Sequence, residues 1–310
     1  MALKVAAQHP DIANLLDLRS SLEPISSGHI FTEGPLWDQR EEALYFQDIK
    51  TDSRYRWSAA TGARLVASPC FKANGLVLDA QGDLLICENA TSMVVRQGAD
   101  SRREIVAAHY QGTYLNSPND VVTRSDGTVF FTDPDYGRWD DPCGVPRPFE
   151  LGFTGLFRVA RSGEVELAAP KSLFEQPNGL AFSPDESRLY VDDVHGIRVF
   201  DVDARGVLSN MGVFKWGMGS PPSNYQGDPD GMKCDELGNV WCAARGGVWI
   251  VNPAGELLGV LETPNIVANL TWGDPDLKTL FLCCSGDVYS LRTRVAAAVL
   301  PYHRVTHGAG

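Results

Sequence analysis

Six stretches of the chain repeat one order of polar and apolar positions. Each opens with an acidic or amide side chain, continues as an apolar strand, turns at Asp, Gly or Pro, and ends in a second apolar strand. Two short apolar runs joined by such a turn are typical of a β-hairpin, so the pattern predicts six hairpins. The six opening side chains, called the heads below, are Glu33, Asn74, Asn119, Asn178, Asp230 and Asn269.

The heads recur at intervals that range from 39 residues, between Asp230 and Asn269, to 59 residues, between Asn119 and Asn178. Periods of about 40 to 50 residues with several strands in each are typical of propeller blades. A closed ring of blades leaves only short sheet edges unprotected. The repeat therefore predicts an all-β, six-bladed β-propeller.

The repeats run through almost all of the 310 residues, so we predict one propeller domain over residues 1–310. Residues 1–25 precede the first hairpin and are interpreted as an N-terminal leader, and the last few residues as a tail. Residues 134–155 form the longest irregular stretch, which is rich in Pro, Gly and aromatic residues. Long ordered insertions are frequently functional. We expect this one to cover the channel mouth as a lid or specificity wall, and a rigid loop packing its own aromatic residues is the alternative.

Composition restricts the partners and the location. A formal net charge of −12 argues against nucleic acid or an anionic membrane as the partner, because phosphate binding requires clustered Lys and Arg. The chain opens without the apolar core of a signal peptide, and no stretch reaches the length of a membrane span, so we expect a cytoplasmic location. The seven cysteines lack zinc-site spacing and are expected to be reduced thiols, mostly in the core.

The first strand of each blade lines the channel of a propeller, so the six heads are expected to converge at one mouth. Carboxylates crowded in a partly desolvated opening resist joint ionisation, and a divalent cation removes that cost. The predicted metal ligands are the carboxylates of Glu33 and Asp230 and the amide oxygens of Asn119 and Asn178. An all-oxygen set suits Ca²⁺ best, with Mg²⁺ or Mn²⁺ next, and Zn²⁺ is a further alternative although it would prefer nitrogen or sulfur.

Each head has a simpler alternative role, because Asn-Gly and Asp-Gly pairs are common turn formers. A head that only caps a turn would have no part in a site. The set of four oxygen donors at equivalent repeat positions favours the metal site.

Further side chains are expected at the same mouth because the second strand of each hairpin returns to it. In the insertion, Tyr136, Trp139 and Phe149 are candidates to contact substrate. His195 is expected at the rim, where plain solvent exposure is its alternative. The predicted substrate contacts are Asn74, Glu88, Asn119, Tyr136, His195 and Asn269.

Several motifs together resemble the senescence-marker/gluconolactonase (regucalcin-like) family of six-bladed propellers. They are FTEGPLWD, LNSPNDVV, FTDPDYG, QPNGLAFSPD and DPDGMKCDELGNVW, and they cover nearly the whole blade region. The resemblance implies a metal-dependent lactonase in which Glu33, Asn178 and Asp230 hold the cation. It also implies that Asn119 binds metal or substrate.

Opening a lactone ring needs a polarised carbonyl group, a nucleophilic water and stabilisation of the oxyanion. The cation is expected to act as the Lewis acid, and Asp230 to accept the proton of the water, with Asn119 orienting the substrate. A hydroxide on the cation is the alternative nucleophile, since a carboxylate that touches a cation is a weaker base.

Two other functions stay open from the sequence. One is a calcium-dependent hydrolase of phosphoesters or aryl esters that uses the same mouth. The other is a non-catalytic propeller scaffold whose metal is structural. For either enzyme the expected partner is a small lactone or ester, and no oligomeric state is indicated.

Overall fold

A computed structural model of the chain describes residues 1–221 and 226–299. Six antiparallel sheets of four or five strands make up the fold. Their innermost strands contact one another in ring order, and the strand of the last blade returns to that of the first. The six-bladed propeller predicted from the repeat is confirmed.

The chain first forms β1 (Lys4–Ala6), α1 (Ile12–Leu15) and β2 (Glu23–Ser27). Blade 1 contains β3 (Thr32–Asp38), β4 (Ala43–Asp48), β5 (Ser53–Ser58) and β6 (Gly62–Ala67). Blade 2 contains β7 (Ala73–Leu78), β8 (Leu84–Glu88), β9 (Met93–Gln97) and β10 (Arg103–Ala107). A small hairpin follows, β11 (His109–Tyr110) with β12 (Thr113–Tyr114).

Blade 3 contains β13 (Val121–Thr123), β14 (Val129–Asp133), β15 (Gly155–Val159) and β16 (Val165–Leu167), with a 3₁₀ turn at Tyr136–Arg138 between β14 and β15. Blade 4 contains β17 (Leu180–Phe182), β18 (Arg188–Asp193), β19 (Gly196–Val202) and β20 (Leu208–Trp216). Blade 5 contains β21 (Met232–Cys234), β22 (Val240–Ala244), β23 (Gly247–Val251) and β24 (Leu257–Glu262). Blade 6 contains β25 (Val267–Gly273), β26 (Thr279–Cys284) and β27 (Asp287–Arg292).

Burial falls from the axis outward within a blade. Every residue of β3, β7, β25 and β26 is buried, whereas β6 and β20 at the outer edge are largely exposed. Strands that are covered on both faces read as nearly continuous apolar runs. The inner hairpins were therefore recognisable in the sequence, and the more polar outer strands were not.

The segment interpreted as a leader forms part of two blades. Strand β1 pairs with β24 as a fifth strand of blade 5, and β2 pairs with β27 as the outer strand of blade 6. Between them, Ile12, Leu16 and Leu22 are buried in a cluster that contains Trp241 and Trp272. Strand β2 thus completes the last blade, which helps to close the ring.

The far end of the channel is covered by the segment that follows blade 6. A cavity of about 30 Å³ there is lined by all six inner strands and by Ala297 and Ala298. The Ala298 amide donates to the Cys234 carbonyl at 3.0 Å, which ties this segment to blade 5. The predicted tail at residues 300–310 lies outside the described residues.

All seven cysteines are free thiols, and six of them are buried. Cys283 and Cys284 belong to different apolar clusters, as expected for neighbours on one strand. Within the part of the chain that the structure describes, no helix is long and apolar enough to cross a membrane.

The contribution of the N-terminal segment can be measured with two leucine substitutions. Leu16 is fully buried and Leu18 is 38% exposed. We expect Leu16→Ala to lower the free energy of unfolding by about 2–5 kcal/mol, as for buried leucines in general. Leu18→Ala is the control and should change it by less than about 0.5 kcal/mol. Equal, small effects in chemical denaturation would mean that residues 1–25 do not belong to the core.

Candidate functional site

Five of the six heads line one cavity at the mouth of the channel. Its volume is about 570 Å³, and the heads that line it are Glu33, Asn74, Asn119, Asn178 and Asp230. They come from blades 1 to 5, so side chains far apart in the sequence meet because each begins an inner strand. The sixth head, Asn269, is 3% exposed and lies against Glu33, to whose carboxylate its Nδ2 donates at 3.0 Å.

Glycines next to the heads allow neighbouring blades to approach this closely. A Cβ atom on Gly231 would lie 1.9 Å from the Asn269 Cγ, and one on Gly179 would lie 2.1 Å from the Asp230 carbonyl oxygen. At Gly179 the backbone of the next blade leaves no room for a side chain, and at Gly231 a side chain would have to displace the Asn269 amide. The Asn-Gly and Asp-Gly pairs therefore serve the packing of adjacent blades at the axis, which differs from the turn-forming role that is usual for them.

Glu33 and Asp230 form a carboxyl pair at the centre of the mouth. Burial raises the pKa of Glu33 to about 7, and the nearby Asp120 carboxylate adds to this effect. Burial also raises the pKa of Asp230 well above its usual range, and the charges of Glu33 and Asp192 raise it further. Two ionised carboxylates at this position are unfavourable unless a cation lies beside them.

Two more buried carboxyl groups, those of Asp120 and Asp192, lie close enough to act on the charge of Asp230, and neither was predicted as a metal ligand. The pKa values of Asp120 and Asp192 are raised, mainly by burial. Lys233 opposes this effect at Asp120, since its Nζ lies 4.0 Å from the Asp120 Oδ2. Asp120 follows a head and Asp192 is the penultimate residue of β18. The repeat therefore gave their positions along the chain, but not the inward direction of their side chains.

The donor set fits a hard divalent cation. The Glu33–Asp230 pair lines the cavity together with amide side chains, and three further acidic residues border it, Asp141, Glu175 and Asp228. The buried Asn74 Oδ1 and Asp120 Oδ2 find no hydrogen-bond partner among the described residues. Oxygen donors of this kind are those that Ca²⁺ and Mg²⁺ prefer. Over residues 1–221 and 226–299, no cluster of three or more His, Cys, Asp or Glu side chains is arranged to hold a metal. A cation here would therefore need the amides as well as the carboxylates.

Of the three residues Glu88, Tyr136 and His195, which were predicted to contact substrate from the rim, Tyr136 lines the cavity. Burial raises the pKa of the Tyr136 phenol, and the Asp230 carboxylate raises it further. The hydroxyl group thus stays protonated and can donate a hydrogen bond.

The other two rim predictions are corrected by the structure. The Glu88 carboxylate lies inside blade 2, where it pairs with Arg103 and accepts a hydrogen bond from Thr91 at 2.8 Å. A buried carboxylate needs such partners, and the next residue, Asn89, lines the cavity in its place. His195 is exposed, and its ring packs 5.7 Å from that of Trp216.

The insertion at residues 134–155 forms one wall of the cavity. Trp139 and Cys143 line it, whereas Phe149 is 45% exposed and lies outside it. The rings of Tyr136 and Trp139 also pack against each other at 4.9 Å. The loop therefore packs its own aromatic residues and also borders the site.

Three cationic side chains fasten this insertion to the blades through backbone carbonyl groups. Lys72 Nζ donates to the carbonyls of Ile49 and Pro142, at 3.2 and 2.9 Å. Arg138 donates to the carbonyls of Leu115, Asn116 and Pro148, and Arg147 to those of Asn89 and Ala90. These hydrogen bonds hold the insertion against the blades, where it forms one wall of the cavity.

Comparison with known proteins shows the relationship of this chain. The SMP-30/Gluconolactonase/LRE-like region matches residues 31–286. The chain is 28% identical to a gluconolactonase of Zymomonas mobilis over 94% of this chain and 86% of that protein. It is 30% identical to an L-arabinolactonase of Azospirillum brasilense over 71% of this chain and 68% of that protein.

A solved structure shares the whole architecture. The gluconolactonase of Xanthomonas campestris is 29% identical and superimposes with a TM-score of 0.84 over 93% of this chain and 94% of that one. The resemblance identified from the sequence motifs is therefore confirmed.

The packing of the heads can be tested at Gly231. We expect Gly231→Ala to displace the Asn269 amide from Glu33 and to lower the free energy of unfolding by about 1–3 kcal/mol, as overpacking does in general. Gly212→Ala is the matched control, because a Cβ there would meet only Val199 Cγ1 at an ordinary 3.8 Å. Thermal and chemical denaturation of the two variants gives the comparison. Equal stability of both would show that close approach at the axis is not required.

Proposed function

The chain belongs to the SMP-30/gluconolactonase/LRE-like family, and we propose that it is an enzyme that opens the ring of a small lactone with one divalent cation at the channel mouth. The observation that carries this proposal is the buried Glu33–Asp230 pair in a cavity that also presents amides from three other blades. The names of its gluconolactonase and arabinolactonase relatives support the reaction class.

The ligands that we propose are the carboxylates of Glu33 and Asp230 and the amide oxygens of Asn119 and Asn178. Their backbone is held by ladder and inter-blade hydrogen bonds. The Asp230 amide donates to the Ala243 carbonyl at 3.0 Å, and the Asn178 carbonyl accepts from Thr132 Oγ1 at 2.6 Å. A set made only of oxygen atoms favours Ca²⁺, followed by Mg²⁺ or Mn²⁺. Asn269 supports Glu33 from below through its amide group.

When bound, the cation supplies a Lewis acid that polarises the lactone carbonyl. Asp230 is the group that we propose accepts the proton of the attacking water, because its carboxyl group lines the cavity where substrate and water would meet. The water oxygen bonds to the carbonyl carbon, the ring C–O bond breaks, and the leaving oxygen takes up a proton. Asn119 orients the substrate, and the Tyr136 hydroxyl provides a donor at the wall.

The cavity is suited to a small polar substrate. Its lining combines amides, including Asn74 and Gln176, with the aromatic rings of Phe31, Tyr136 and Trp139. Amides bind hydroxyl groups, and aromatic rings pack against the apolar face of a sugar-like ring. A lactone of a sugar acid fits this lining better than a long apolar ester.

Removal of the cation should abolish the reaction. We expect EDTA treatment to abolish hydrolysis of a lactone panel, and added Ca²⁺ to restore it, since the polarising cation is lost and regained. Phenyl acetate and a phosphotriester belong in the same assay. Preferential hydrolysis of either one would favour the ester or phosphoester hydrolase, and absent or EDTA-insensitive turnover by folded protein would favour the scaffold.

Substitution of the carboxylates should weaken metal binding and turnover together. Loss of an outer partner of a metal ligand already costs about 10–100-fold in affinity or activity, so we expect about 100-fold or more for Glu33→Gln and Asp230→Asn. Glu42→Gln is the control, because Glu42 is exposed at the turn between β3 and β4. Calorimetric titration with Ca²⁺ and initial lactonase rates give both readouts. Unchanged metal content and activity in the two site variants would refute the proposed ligands.

A further inference from the structure

Asn89 has no role in the mechanism above, yet it lines the mouth cavity. Its side chain is 3% exposed, and its Oδ1 is buried without a hydrogen-bond partner within the described residues. A buried amide that leaves a hydrogen bond unmade costs free energy. Native structures keep such groups mainly where a ligand or water completes them.

The position of Asn89 is fixed from several directions. Its backbone amide donates to the Lys72 carbonyl at 3.2 Å, and its carbonyl accepts from Arg147 of the anchored insertion. A Cβ on Gly137 would lie 2.7 Å from the Asn89 Cβ, so the insertion packs directly against this side chain. Packing therefore immobilises the amide, although no described residue satisfies its oxygen. A group held in this way can bind a ligand with little loss of conformational entropy.

A second amide of blade 2 also has a buried oxygen atom that lacks a hydrogen-bond partner. Asn74 also lines the cavity, and its Oδ1 is buried without a partner in the described parts of the chain. The two side chains follow paired strand positions, since Ala73 is opposite Glu88 in the β7–β8 ladder. Blade 2 thus presents two amides to the cavity.

The chemistry of an amide matches that of a hydroxyl group. A side-chain amide offers acceptor and donor sites together, and a hydroxyl group also does both. We propose that Asn89 binds a hydroxyl group of the substrate and makes the site selective for polyhydroxylated lactones over unsubstituted ones. This inference rests on the proposed lactonase function and adds a specificity-determining residue to that site. The apolar side chains of the cavity form no hydrogen bonds, so they distinguish a hydroxylated ring from an unsubstituted ring less well than an amide does.

The test compares two lactones that share a six-membered ring. D-Glucono-δ-lactone carries hydroxyl and hydroxymethyl groups, and δ-valerolactone carries none. Initial rates are followed by pH-stat with Ca²⁺ present, and the uncatalysed rate is subtracted. We expect Asn89→Ala to lower kcat/KM for gluconolactone about 10-fold or more, the size of one lost hydrogen bond. Its kcat/KM for valerolactone should stay within about 2-fold.

Two further variants complete the experiment. Asn14→Ala is the matched control, because Asn14 is an exposed amide on α1, and it should change neither value. Asn89→Ser retains a smaller hydrogen-bonding group and should lose less than Asn89→Ala on gluconolactone. If circular dichroism shows that Asn89→Ala does not fold, Asn89→Ser replaces it in the comparison of kcat/KM for the two lactones.

Several results would overturn the inference. If Asn89→Ala lowers kcat/KM equally for both lactones, or for neither, Asn89 does not bind a hydroxyl group of the substrate. Equal kcat/KM of the wild-type enzyme for the two lactones would show that the site does not select for hydroxyl groups. A fall in Ca²⁺ affinity of Asn89→Ala would make Asn89 a metal ligand instead. Wild-type protein that opens no lactone would refute the proposed function itself, and this result is distinguishable from all the others.

Discussion

The burial of like-charged carboxyl groups around the propeller axis is the constraint on which this structure depends. Glu33 and Asp230 lie against each other at the mouth, and Asp120 and Asp192 lie close below. Isolated buried charges are too costly to keep, so the surroundings must compensate. The positive charge of Lys233 offsets the negative charge of Asp120, and the Asn269 amide donates a hydrogen bond to Glu33. The mouth is left with the oxygen donors that a divalent cation would satisfy.

The rest of the fold keeps these groups in place. Six inner strands meet around one axis, and glycines such as Gly179 and Gly231 permit an approach that any side chain would block. Strand β2, from the N-terminal segment, completes blade 6 as its outer strand, which helps to close the ring. On the substrate side, Lys72, Arg138 and Arg147 hold the insertion by backbone carbonyl groups. Preorganised walls and a preorganised floor suit catalysis by positioning and electrostatics.

Most residues of the candidate site could be predicted from the sequence repeat, because equivalent positions in a closed ring share one environment. The five heads at the cavity and Asn269 beneath them follow from that symmetry alone. Glu88 was placed at the rim because it ends a second strand, but a single step along the strand reverses the side-chain direction. The next residue, Asn89, lines the cavity. Residues 1–25 were misjudged as a leader because strands as short as Lys4–Ala6 leave no periodic signal.

The sequence by itself determined the hairpin repeat, the number of blades, the oxygen-rich character of the mouth and the family resemblance. All of these depend on local pattern and on the period between patterns. Only the tertiary structure decided which acidic residues face the axis and which find partners inside a blade. It also decided how the insertion is anchored and that Asn74 and Asn89 keep unpaired amide oxygens at the cavity. These features arise from contacts between segments far apart in the chain, and their geometry is set by how adjacent blades pack.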